Sequence, residues 1–409
     1  MSETEFDKAR NKMRQNSVRI QKYIDLVREG QEFVGYNKTS DNVLKRLYDL
    51  ELAFADEVFE WGISQTSDFF HRVINFSKVN DFDERILLVD MNYFYIYDVY
   101  IRSYLLYRTG NLSEAKACAK GIFLFFLACK LDKKKPIIAW LLIQTLKKIK
   151  MPLINLNIDI NCFINIAVDQ VFFHEIAHLI NDTNDTDSIE SYIQIFKIFE
   201  DVLNGKRDAI MLEFPNEGSV PKQTYIKNWF FPPTKGRSYS NLKHKRIKEE
   251  VVNDFYSYMM ILELEQNSLS YGISETTCVT LHLNQHFRNA LSMLSSFSEM
   301  IKNGQQDSPK ILNYGEIIIR NSALSIISTF LKERETYCKC EDKALDETYV
   351  GFVKMLSSVL SETSDKLNKI CRLSLQIAIS DKERESIKKE LQNDLSRGLR
   401  HFYSLEYDS

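Results

Sequence analysis

The sequence predicts a mainly helical α+β protein with a small sheet, on three observations. Glycine and proline number 13 and 7 in 409 residues, well below the roughly 7% and 5% of average proteins. That is too few for the many turns of a sandwich or barrel. Apolar residues recur at helical spacing over most of the chain. Residues 153–160 instead alternate Ile154, Leu156, Ile158 and Ile160 with Asn155, Asn157 and Asp159, the period of a half-buried strand.

Each element follows in order. Ile20, Ile24 and Val27 set one helical period, and Leu44, Leu47, Ala55, Val58 and Phe59 set another, with Asp41 as its N-cap. Two further helices form an antiparallel pair turning at Gly110 and Asn111; no second copy lies about 34 residues away, so no solenoid is expected. Residues 1–150 therefore read as helix after helix. The strand 153–160 leads into NCFINIAVDQVFFHEIAHLIND, apolar on nearly all sides, which predicts a buried helix. Another helix is expected over 188–203. Residues 205–247 have no sustained period and hold four of the seven prolines (Pro215, Pro221, Pro232, Pro233) with Tyr225, Trp229, Phe230 and Phe231. An unpatterned stretch of that length is expected to act as a functional lid over a cleft. Helix resumes over 249–300 and again over 310–405. The organisation is thus a helical region 1–150, a core 151–305 with the irregular insertion 205–247, and a helical region 306–409.

Composition narrows the function. With 53 basic and 56 acidic side chains the net charge is -3, so no global basic field recommends nucleic acid as a partner. The most apolar runs, GIFLFFLACKL and PIIAWLLIQTL, are each too short to span a bilayer and are separated by charge, so no membrane partner is expected. Seven scattered cysteines make no disulfide framework. Cys338 and Cys340 are too sparse for a structural zinc site, which needs four ligands. No apolar signal segment opens the chain, and the expected compartment is the cytoplasm.

The chemistry is concentrated in His174-Glu175-Ile176-Ala177-His178. Helical residues i and i+4 share a face, so both imidazoles can meet one zinc ion, and Glu175 beside them suits a general base. Two imidazoles and a carboxylate on a buried apolar helix are costly without such a partner. Asn181 and Asn184 stand where a metzincin would have Gly and His, which excludes that class. A third ligand is then sought on a later helix. Glu250 with Asp254 four residues on fits, with Asp254 placed to accept the second ring N–H of a ligand histidine; Glu249 is the alternative ligand. Further on, His282 and Arg288, with His286 between them, are candidates to stabilise an oxyanion.

HEIAHLIND, EEVVND and the His282–Arg288 spacing together resemble the gluzincin layout of the phage-exclusion Lit-type peptidases. They resemble more distantly the HtpX and CAAX-prenyl endopeptidases. The likeness covers roughly residues 155–295, with Leu283 where those families carry Pro. It implies a zincin-like core with a small sheet and a zinc ion on His174, His178 and Glu250. It also implies a cytoplasmic endopeptidase of bacterial phage defence that cuts a host protein such as a translation factor, under a phage-derived or protein activator. Two rival readings share the motif: a regulatory peptidase cutting a repressor of a mobile element, and a non-enzymatic helical interaction protein with structural zinc. The strand 153–160 is also a candidate for pairing with an extended substrate. Oligomeric state is not legible in the chain.

Overall fold

The computed structural model describes residues 41–53, 60–64, 72–75, 85–149, 160–182, 245–268, 274–304, 347–377 and 379–399. The helix expected over 20–27, the strand 153–159, the helix 188–203, residues 205–244 of the insertion, and Cys338 and Cys340 lie outside them.

Helix α1 spans Asp41–Ala53. Val43, Leu44, Leu47 and Leu50 fall on one stripe and are at most 2% exposed. Three short strands follow: β1 (Glu60–Ser64), β2 (Arg72–Asn75) and β3 (Arg85–Asp90). β3 is central, parallel to β1 with Gly62 opposite Leu88, and antiparallel to β2 with Val73 opposite Leu87. The expectation that 1–150 is wholly helical is corrected here. At four to six residues these strands are too short to display a period, and the central one is a continuous apolar run, which reads equally as helix. Leu87 and Val89 are fully buried, as a central strand requires.

Asp90 ends β3 and caps α2 (Met91–Arg108), its carboxylate accepting from the Asn92 N–H at 2.9 Å. The expected turn joins α2 to α3 (Leu112–Leu131). Gly110 takes φ 85°, its N–H bonds Tyr107 O and that of Asn111 bonds Leu106 O, the paired bonds of a Schellman ending. α4 (Pro136–Lys147) starts on Pro136, whose missing N–H would have had no partner in a first turn.

α5 (Asn161–Asp182) is the buried apolar helix expected from the sequence. It packs against α1, α6 (Lys245–Ser268) and α7 (Glu275–Lys302). α7 is capped by Ser274, which accepts from the Thr277 N–H. α8 (Glu347–Gln376) buries Phe352, Leu356, Val359, Leu360 and Leu367 at helical spacing and packs against α2, α3 and α4, with the Phe352 ring against Tyr100, Tyr104 and Tyr107 of α2. α9 (Asp381–Ser396), opened by a Ser380/Glu383 capping box, lies on α4. There Glu390 accepts from Trp140, Gln144 and Lys147 at 3.0–3.2 Å. The described residues are mostly helical, and a single buried apolar cluster runs through β3 and α1–α9. Among them no helix is long and apolar enough to cross a membrane.

Candidate metal centre

The site forms where α5 crosses α6. Gln170, His174 and His178 stand at intervals of four on α5 and so share one face. On α6, Glu250 and Asp254 have the same interval. His174 Nε2 lies 3.4 Å from Glu250 Oε2, and His178 Nε2 lies 3.6 Å from Glu250 Oε1. One ligand atom from each of the three falls within 4.8 Å of the other two. Tetrahedral zinc with bonds near 2.05 Å holds its ligand atoms about 3.4 Å apart. The donor set, two imidazoles and a carboxylate, is also one that zinc takes in open sites. The residues fit the ion, and both histidines offer Nε2.

The other ring nitrogen of His174 is accounted for too. Nδ1 lies 2.9 Å from Oδ1 of Asp254, whose side chain is fully buried. The contact is too poorly aligned for a hydrogen bond, yet the carboxylate charge beside Nδ1 favours the ring proton there and leaves the lone pair on Nε2, toward the ligand set. Burial draws His174 toward the neutral form, but the charge and contact of Asp254 and the contact of Glu250 outweigh it. The net shift is upward, with Arg288 opposing. The side chains grade from 7% exposed at His174 through 18% at Glu250 to 27% at His178. The centre therefore opens to solvent on the His178 side.

Glu175 is 7% exposed. It follows His174 by one residue and precedes His178 by three, on the adjoining face of α5. The two oxyanion candidates do not converge. Six residues along one continuous helix amount to about 240° of rotation, so His282 and Arg288 point different ways from α7. Arg288 Nη1 donates to Asp254 Oδ1 at 2.8 Å. The His282 and His286 rings instead flank Tyr349 of α8, with centroids 5.9 and 5.8 Å from it. Burial, and then His282 beside it, push His286 down to about 3. His282 and Arg288 thus leave α7 on different faces, His282 toward Tyr349 and Arg288 toward Asp254.

Sequence reasoning missed the polar groups beneath the site. Gln170, one turn before His174 and 1% exposed, accepts from Asn284 of α7. Asn284 in turn accepts from the Tyr93 hydroxyl at 2.8 Å. Gln285 accepts from the Tyr258 hydroxyl of α6 at 2.5 Å. The available signal was Gln170 itself, a polar residue four before His174 on an otherwise apolar helix. Also missed was Arg46 of α1, which grips Asp169 of α5 through Nε at 2.6 Å and Nη2 at 2.7 Å.

No family model, no curated protein and no solved structure matches the chain.

Proposed function

We propose that the chain is a zinc-dependent endopeptidase with a zincin-like core of gluzincin type, acting on a cytoplasmic protein. The observation that carries the reading is the convergence of His174 Nε2, His178 Nε2 and the Glu250 carboxylate within 4.8 Å. Asp254 backs the first of them. Among the described residues three protein ligands come together, and three leave a coordination position open, as catalysis requires and structural sites do not. Zinc on such a set supplies Lewis acidity that activates water near neutral pH and polarises a peptide carbonyl.

The protein's own groups do the rest. Glu175 accepts the proton of the attacking water and returns it to the leaving amine. Its carboxylate needs no metal contact for this, only a place beside the ligand face, which its position between His174 and His178 provides. Both histidines stand on a helix whose apolar residues are buried, which limits how far the two rings can move. On the resemblance to Lit-type peptidases, the substrate is a host protein such as a translation factor, cut in phage defence when an activator arrives.

The test is Glu175→Gln. The variant should keep wild-type zinc content yet lose cleavage of a peptide library by about 10²–10⁴-fold, the share that general-base catalysis typically supplies. Loss of zinc from the variant would make Glu175 a ligand, and undiminished cleavage would remove it from the mechanism. Either outcome contradicts the proposal.

A further inference from the structure

One carboxylate oxygen in the centre has two partners from different helices. Asp254 Oδ1 lies 2.9 Å from His174 Nδ1 and 2.8 Å from Arg288 Nη1, and its side chain has no solvent exposure. The terminal torsion of an aspartate is broad and roughly two-fold, so α6 alone does not fix where Oδ1 points. A guanidinium donor does, because its N–H groups stand in a rigid planar fork. Arg288 is itself placed by its helix. Three residues earlier, Gln285 takes the Tyr258 hydroxyl, and Tyr258 follows Asp254 by four. Two side-chain rungs therefore lock α7 to α6: Arg288 with Asp254, and Gln285 with Tyr258.

From this arrangement we infer that Arg288 is a positioning residue: through Asp254 it orients His174 so that Nε2 faces the metal. The inference rests on the metal reading above and deepens it. It moves Arg288 from the substrate's oxyanion to the support of a ligand. It also explains a charged residue turned inward on α7, its side chain only 22% exposed.

A double-mutant cycle on zinc affinity, read by competition with a chromophoric chelator, tests this. Arg288→Met should weaken zinc binding about tenfold, the lower end of what losing a ligand's supporting residue costs. In the Asp254→Asn background the same change should cost under about twofold, because Asp254 is the route by which Arg288 acts. Arg288→Gln, which keeps an N–H donor, carries the same cycle if Arg288→Met fails to fold. The visible spectrum of the cobalt-substituted protein should shift in Arg288→Met and Asp254→Asn alike. Equal losses in both backgrounds would overturn the inference, as would no loss in either. Reduced turnover with unchanged affinity and cobalt spectrum would return Arg288 to the oxyanion. Absence of zinc binding by the unaltered protein would instead sink the metal reading itself.

Discussion

Glu250 precedes Asp254 by four residues, slightly more than one turn, and that interval lets a single helix engage both nitrogens of His174. Glu250 meets Nε2 at 3.4 Å and Asp254 meets Nδ1 at 2.9 Å. A neighbour one residue away on α6 points about 100° elsewhere. Glu250→Ala should therefore weaken zinc binding by more than the roughly 10- to 100-fold lost with a residue that only supports a ligand. Glu249→Ala should stay within about twofold of the unaltered protein, because a residue one place from Glu250 lies on a different face of the helix. Chelator competition on the two variants decides, and the reverse ranking would contradict the assignment. At this scale much of the site was legible in the sequence. The interval of four puts His174 with His178, and Glu250 with Asp254, on shared faces, while the choice of Glu250 rests on the likeness to the gluzincin layout. Arg288 was visible as a candidate but not in its role. Its partner lies 34 positions away on another helix, and its spacing from His282 crosses faces rather than sharing one.

Between elements, the contact that most firmly fixes α5 from the N-terminal side is the Arg46–Asp169 fork. Asp169 is 7% exposed and its burial pushes its carboxyl up, with Arg46 pulling it back. Asn42 adds a bond to Asn161 at the start of α5. Removing the guanidinium strands a buried carboxylate, so Arg46→Met should lower the unfolding free energy by about 3 kcal/mol in urea. A loss under about 0.5 kcal/mol would show that α1 docks by its apolar stripe alone. This pair was not legible, because 123 residues separate its members and nothing local marks them. The α2–α3 hairpin was legible, because Gly110 supplies the left-handed residue that its closing turn requires. The sheet of β1–β3 was not, because its strands are shorter than the window in which a period of two shows itself.

Across the whole molecule, the scarcity of glycine and proline correctly signalled a predominantly helical protein, and the length of its apolar runs matched helices that pack together. What composition does not reveal is the polar seam inside that packing. Tyr93, Gln170 and Asn284 from α2, α5 and α7, with Tyr258 and Gln285 from α6 and α7, bond to one another in the buried region beside the metal centre. Buried hydrogen bonds of this kind favour one register among several that apolar packing alone would accept. The helices thereby bring two imidazoles and a carboxylate close enough to share one ion. Elemental analysis of the purified, untagged chain expressed in zinc-replete medium tests that claim most directly. The account predicts about one zinc per chain, falling to near zero in His174→Ala and Glu250→Ala. A chain that folds, purifies and carries no zinc, or one whose zinc survives both substitutions, would contradict it.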